Sequence, residues 1–237
     1  MKKILILAGG FGTRLRSVVS DVPKPLAQVE GQPFLKYVLQ NCVSQGANEL
    51  VFLLHFEAQK IEDMIKTMAA NRELDGVTLK FVVEPSPLGT GGSILHAIKS
   101  LDLDDSFIVI NADTWLGYGL SLMDGSTAPA IAAVKSNNCK RYGLLEIING
   151  RVQSFREKSE TNVVGWINAG MYHISRESFF DLLPGSSFSL EDKVLPRLAN
   201  MGQLAAIPLE TEFIDIGVPE DYFRFCNWIK KRKEIGL

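Results

Sequence analysis

Cysteine is scarce in this sequence. The 237 residues hold three, Cys42, Cys139 and Cys226, widely separated along the chain. They make no disulfide framework and no metal-ligand spacing, so reduced thiols are expected. Histidine is equally scarce, and His55, His96 and His173 sit in no catalytic motif. Charge of one sign is lacking too: the formal net charge is −2, which offers no global basic field for nucleic acid. No apolar stretch is long enough to span a membrane. Met1-Lys2-Lys3 begins a short run that ends at Gly9 without a cleavage-type region, so no signal peptide is read. Internal repeats and low-complexity segments are absent, and no composition shift marks a linker. What remains is ordinary globular usage, 46% hydrophobic and 22% charged. The length suits one substantial α/β domain. A cytoplasmic protein without nucleic-acid or membrane partners is the expectation.

Apolar runs and helical stripes alternate through the first half. Ile4-Leu5-Ile6-Leu7-Ala8 reads as a buried strand of a parallel sheet. Phe34, Val38, Leu39 and Val43 predict a helix over 34–44, with Gly46 as its stop. Leu50 to Leu54 is a second strand, and a helix over 57–70 carries Ile61, Met64, Ile65 and Met68 on one core-packing stripe. Val77 to Val83, a helix from about Ser93 to Ser100, and Ser106 to Ile110 continue the βαβ pattern. The second half is strand-rich, over 128–134, 142–148, 150–157 and 163–174. Asn149-Gly150 there gives a hairpin signal. Ser189 and Asp192 fit a capping box for a helix through Leu198, and Pro219 suits the first turn of a last helix over 220–233.

The chemistry gathers at the ends of these strands. Leu7-Ala8-Gly9-Gly10-Phe11-Gly12-Thr13-Arg14-Leu15 follows the first strand, and Pro23-Lys24-Pro25-Leu26 comes soon after. Glycine permits positive φ and close approach to the backbone. Consecutive amides in such a loop make an anion-binding concavity. Arg14 adds a forked permanent cation, and Lys24 a point charge on a segment stiffened by two prolines. The third glycine of the dinucleotide fingerprint is missing, and no Gly-Lys-Ser/Thr follows, so neither that motif nor a P-loop applies. The combination predicts a polyphosphate site. Glu84-Pro85-Ser86-Pro87-Leu88-Gly89-Thr90-Gly91-Gly92-Ser93 is a second glycine-rich βα turn. Thr90 is a candidate helix cap, and the helix N-terminus favours an anion. Asn111-Ala112-Asp113 ends the fourth strand, where α/β sheets bind ligands.

Gly-Gly-x-Gly-Thr-Arg-Leu followed by Pro-Lys-Pro-Leu resembles the sugar-1-phosphate nucleotidyltransferases, or NDP-sugar pyrophosphorylases. The stretch Arg16 to Val22 looks like the branch acting on D-glycero-α-D-manno-heptose 1-phosphate with GTP. The resemblance runs from Leu7 to Tyr222. It implies a Rossmann-like three-layer α/β sandwich with a mixed, mainly parallel central sheet. A single domain over 1–237 is implied, nucleotide-binding in its N-terminal half and sugar-phosphate-binding over about 128–217, with no C-terminal β-helix domain.

By the same resemblance, Leu7, Ala8, Gly9, Gly10, Gly12 and Thr13 hold the triphosphate, while Glu84, Gly89 and Thr90 surround the base. A carboxylate at Glu84 suits a purine with two adjacent donors. Arg14, Lys24 and Lys158 are the implied catalytic cations. Asn111, Tyr142, Gly143, Glu157, Lys158 and Asn168 would take the sugar phosphate. Asp113 and Asp215, the latter within Asp-Ile-Gly-x-Pro-Glu-Asp-Tyr, would hold Mg²⁺. The implied partners are GTP or another NTP and a sugar 1-phosphate, and a homodimer is compatible with the family. Alternatives are a mannose-, glucose- or N-acetylmuramate-1-phosphate enzyme using GTP or UTP, or a catalytically silent nucleotide-sugar sensor.

Overall fold

The computed structural model describes residues 2–103, 106–137, 139, 142–156 and 163–235. The strands are β1 (Lys3–Leu7), the short pair β2 (Gln28–Val29) and β3 (Gln32–Pro33), β4 (Glu49–Leu54), β5 (Thr78–Val83), β6 (Phe107–Asn111), β7 (Thr114–Leu116), β8 (Ala130–Ser136), β9 (Leu144–Ile148), β10 (Arg151–Arg156), β11 (Gly165–Ile174), β12 (Ala205–Leu209) and β13 (Phe213–Asp215). The helices are α1 (Phe34–Ser44), α2 (Ala58–Ala70), α3 (Gly89–Leu101), α4 (Leu120–Asp124), α5 (Leu195–Asn200) and α6 (Pro219–Glu234).

Nine strands form one sheet in the order β5-β4-β1-β6-β11-β8-β12-β10-β9. β5, β4, β1, β6, β8, β12 and β9 run one way, and β11 and β10 run against them. The sheet is therefore mixed and mainly parallel, as expected. Alternation along the buried strands sorts side chains to two faces. Ile4 and Ile6 of β1, and Phe52 of β4, join a core with Phe34, Val38, Ile61, Ile65 and Phe225 from α1, α2 and α6. Leu5, Val51 and Leu53 join the other core, with Ile94 and Ile98 of α3 and Leu195 and Leu198 of α5. Helix, sheet and helix thus make three layers. No described helix is long and apolar enough to cross a membrane.

β1 lies between β4 and β6, so chain connections leave it in both directions. This is the switch point at which open α/β sheets leave a crevice beyond their carboxyl ends. Leu7 sits in register with Leu53 and Asn111, which levels the three strand ends. Beyond them, β7 and β13 form a separate ribbon pairing Thr114 with Asp215. α6 supports that ribbon through Phe225, which is fully buried. Its ring centroid is 4.7 Å from Phe34, 5.6 Å from Trp115 and 5.8 Å from Trp228.

Three local features depart from the sequence reading. α3 starts at Gly89 rather than near Ser93, and no side chain caps it. The Phe188 carbonyl accepts from the Gly91 and Gly92 amides at 3.0 and 3.2 Å, which replaces the cap assigned to Thr90. The helix at Ser189 opens as a π-turn over Leu190–Val194 before α5. Ser189 Oγ accepts from the Asp192 amide as the capping box requires, while Pro196 has no N–H to give an i−4 carbonyl. Asn168-Ala169-Gly170 lies inside β11, within the strand predicted over 163–174, but interrupts it with a bulge. Gly170 adopts φ +70° and the register with β8 shifts between Asn168 and Tyr172. Such a bulge re-aims side chains. Asn149 and Gly150, both at positive φ, make the predicted β9–β10 hairpin turn.

Phe225→Ala removes the ring that joins α6, α1 and the ribbon. It is expected to lower unfolding stability by about 3–5 kcal/mol, read by urea denaturation.

Candidate active site

The glycine loop closes onto Lys24. Gly12 adopts φ +60°, and a Cβ there would lie 2.9 Å from the Lys24 Cβ. Only glycine fits both demands. Pro23 and Pro25 bracket a single 3-10 turn over Lys24–Leu26. The Lys24 side chain is buried, 9% exposed, and its ammonium bonds Asp113 Oδ2. Asp215 Oδ1 lies 3.7 Å from the same Nζ. The Gly217 amide donates to Asp215 Oδ1 at 2.7 Å and orients that carboxylate. The Asp113 carbonyl accepts from the Ile216 amide at 3.0 Å, which ties the end of β6 to the end of β13. One ammonium and two carboxylates therefore share a centre that sequence places 89 residues apart for its first pair.

Three cavities meet around this centre. The first, about 210 Å³, is walled by Leu7, Ala8, Gly10, Gly12, Thr13, Arg14, Lys24 and Asp113. Arg14 is exposed at its wall and makes no ion pair with a described residue, so its guanidinium faces solvent ready for an anion. The second, about 290 Å³, lies against Gly9, Gly10, Glu84, Gly89, Thr90, Ser93 and Asn111. The third, about 200 Å³, lies against Asn111, Tyr142, Gly143, Asn168, Glu191 and Asp215. Asp113 borders the first two, and Asn111 the last two. Ser93 Oγ and Asn111 Oδ1 are buried without a hydrogen-bond partner among the described residues. Such groups are uncommon in folded proteins and fit a ligand that brings its own polar atoms.

Glu84 is 7% exposed at the end of β5. Its Oε2 accepts from the Leu88 amide at 2.9 Å. Its Oε1 lies toward Gly9, where an added Cβ would approach it to 3.3 Å. The second glycine turn also packs closely within the protein: a Cβ at Gly91 would strike the Phe188 ring at 2.3 Å and one at Gly92 the Ser186 carbonyl oxygen at 2.5 Å, while Gly89 and Thr90 border the second cavity. Two amides of that first turn, those of Gly91 and Gly92, bond the Phe188 carbonyl.

The segment Arg16 to Val22 also lies away from the acceptor-side cavity. It borders a small cavity of about 40 Å³ beside Phe56, with the Arg16 guanidinium 5.7 Å from the Phe56 ring centroid. Arg141, Glu157 and Lys158 lie outside the described residues. Tyr172 and Glu191, absent from the sequence prediction, both border the third cavity. A groove of about 1120 Å³ beside Trp115, Trp166 and Trp228 contains none of the predicted site residues. His173 is buried between Ser106 and Ser126, and burial lowers its pKa. Burial pushes the Cys42 thiol up to about 12, which makes it inert.

Residues 3–232 match the profile of the nucleotidyl transferase family. The chain belongs to that family. It is 33% identical over 223 residues to D-glycero-alpha-D-manno-heptose 1-phosphate guanylyltransferase of Campylobacter jejuni, covering 93% of this chain and 97% of that protein. It is 32% identical to the mannose-1-phosphate guanyltransferase of Yarrowia lipolytica, over 93% of this chain but 62% of that protein. Among solved structures, HddC from Yersinia pseudotuberculosis complexed with GMP-PN superposes with a TM-score of 0.82 at 35% identity, covering 97% of this chain and all of that one. A putative glucose-1-phosphate thymidylyltransferase from Bacillus anthracis shares the fold with a TM-score of 0.80 at 18% identity, over 97% of this chain and 95% of that one. The architecture is that of the nucleotide-diphospho-sugar transferases, and this nucleotidyltransferase carries its predicted residues around one crevice wherever they are described.

The donor set suits Mg²⁺. Both carboxylates reach the same Lys24 ammonium, and magnesium is commonly held by one or two carboxylates together with substrate phosphates. Among the described residues no three His, Cys, Asp or Glu side chains converge to hold a metal unaided. A phosphate-completed shell is what this pair can offer. Asp113→Ala is expected to lower nucleotidyl transfer at least about a hundred-fold while the circular dichroism spectrum is retained. Wild-type turnover by this variant in Mg²⁺ buffer would remove Asp113 from the mechanism.

Proposed function

We propose that this nucleotidyltransferase transfers a guanylyl group from GTP to D-glycero-α-D-manno-heptose 1-phosphate. The products are GDP-D-glycero-α-D-manno-heptose and pyrophosphate, for bacterial surface polysaccharide such as capsule, S-layer or lipopolysaccharide. The observation that carries this reading is end-to-end similarity to heptose 1-phosphate guanylyltransferases, 93% of this chain against 97% of the Campylobacter protein. A buried carboxylate in the second cavity supports guanine, because an ionised Glu84 only accepts and guanine presents adjacent N–H donors.

On this reading the three cavities divide the work. The first cavity takes the triphosphate, the second the base and the third the sugar phosphate. The N-terminal half thus binds nucleotide, and residues from about 128 to 217 bind the acceptor. A phosphate oxygen of the sugar 1-phosphate attacks the α-phosphorus in line. The new O–P bond forms as the bond from the α-phosphorus to the β-bridging oxygen breaks, and that electron pair leaves with pyrophosphate. A phosphate monoester has a second pKa near ~6, so the nucleophile is already ionised at neutral pH and needs no base. Positioning and charge neutralisation then supply the rate. Arg14 and the loop amides hold the departing phosphates. Lys24 brings positive charge to the centre where the two anions meet, and Lys158 is assigned to the sugar phosphate. Asp113 and Asp215 would hold Mg²⁺, which when bound shields the α-phosphate from the incoming anion. On this reading the enzyme works in the cytoplasm and binds neither nucleic acid nor membrane.

A mannose-1-phosphate specificity is the second reading, favoured by the 32% identity to the Yarrowia enzyme. A pyrophosphate-release matrix separates the two. Four NTPs are crossed with manno-heptose, mannose, glucose and N-acetylmuramate 1-phosphates in Mg²⁺. GTP with the manno-heptose phosphate is expected to give the highest kcat/KM. A better pair elsewhere rejects the heptose reading, and release with no pair rejects the enzyme in favour of a sensor.

A further inference from the structure

A chain of hydrogen bonds crosses from the second cavity to the third. Thr90 borders the second cavity, and its hydroxyl donates to Glu191 Oε2 at 2.6 Å. Glu191 borders the third cavity, and its Oε1 accepts from the Tyr172 hydroxyl at 3.0 Å. Tyr172 Oη in turn accepts from Asn168 Nδ2 at 2.8 Å. Asn168 Oδ1 receives the Gly170 amide at 2.9 Å, which holds the β11 bulge. Side bonds stiffen the line: the Leu190 amide donates to Thr90 Oγ1 at 2.8 Å, and Ser189 Oγ donates to Glu191 Oε2 at 3.0 Å.

The chemistry of the line gives it a direction. Tyr172 is fully buried. Burial, then the Glu191 charge, raises its pKa well above the usual phenol value, so it stays protonated. One phenol proton goes to Glu191, and its oxygen is left to receive Asn168. Glu191 therefore fixes the orientation of the Tyr172 hydroxyl, and through it the orientation of the Asn168 amide. At its other oxygen it fixes Thr90 on the first turn of α3. Hydrogen bonds to a charged acceptor are stronger than neutral ones. Moving Glu191 or Asn168 takes a hydrogen bond from the buried Tyr172 hydroxyl.

We propose that Glu191 is a positioning residue that couples the nucleotide pocket to the sugar-phosphate pocket through Thr90 on one side and Tyr172–Asn168 on the other. Binding of nucleotide against Thr90 sets Glu191, and Glu191 sets Asn168 for the acceptor sugar. The coupling is reciprocal in binding free energy. This inference rests on the nucleotidyl-transfer reading above, with base and sugar in the second and third cavities.

The test is whether a change in one pocket is felt in the other. Steady-state kinetics are measured for wild type, Thr90→Val, Tyr172→Phe, the double variant and Thr90→Ser, with melting temperatures as a check on folding. Thr90 does not border the third cavity, yet Thr90→Val is expected to raise KM for the sugar 1-phosphate at least about five-fold. Tyr172 does not border the second cavity, yet Tyr172→Phe is expected to raise KM for the NTP. The double variant is expected to be less impaired than the product of the singles, because both break one line. Thr90→Ser, which returns the hydroxyl, is expected to recover the sugar-phosphate KM that Thr90→Val loses. Effects confined to each residue's own pocket and multiplying in the double variant overturn the coupling while leaving the enzyme reading intact. A wild-type chain that turns over no NTP–sugar pair overturns both.

Discussion

The site depends on one ammonium held between two carboxylates. Lys24 bonds Asp113 and approaches Asp215, and each partner arrives on a different element. Lys24 comes from a proline-bracketed turn, Asp113 from the end of β6, and Asp215 from the end of β13. Without the ammonium, two carboxylates would repel at close range. Without the carboxylates, a buried ammonium would lack a partner. Two glycines make the approach sterically open. Gly12 clears the Lys24 stem, and at Gly217 an added Cβ would sit 2.9 Å from Asp215 Oδ1 and 3.2 Å from Lys24 Nζ.

That centre explains why three cavities belong to one site. Asp113 borders the first and second, and Asp215 the third. A triphosphate, a base and a second anion can each occupy a lobe and still meet beside one lysine. The parallel β1 places the first cavity at the switch point, while antiparallel β11, with its bulge at Gly170, presents Asn168 to the third. On the proposed reading the two halves of the sheet serve different substrates at the same few atoms.

Much of this was legible in sequence. α1 spans Phe34–Ser44, where its apolar spacing predicted it, and β1, β4, β5 and β6 lie on predicted runs, whereas β12, parallel to β8, was not read from the sequence. The glycine loop and both aspartates were marked by strand ends and by family pattern. Long-range contacts were not legible. Glu191 meets Thr90 across 101 residues, and its four-residue neighbourhood is fully explained as a helix cap. Gly91 and Gly92 signal close approach but do not say that Phe188 and Ser186 are what approach. The strand predicted over 163–174 gives no sign of the bulge at Asn-Ala-Gly, which only its pairing with β8 shows. Arg16 to Val22 carries much of the heptose resemblance, yet it stacks beside Phe56 and shares no residue with the acceptor lobe.

The central claim is that Lys24 and Asp113 act as one unit. A double-mutant cycle tests it directly, with unfolding free energies measured by urea for wild type, Lys24→Met, Asp113→Asn and the double variant. The account predicts a coupling of at least about 1 kcal/mol, with the double variant more stable than the sum of the single losses allows. Additive losses would contradict it.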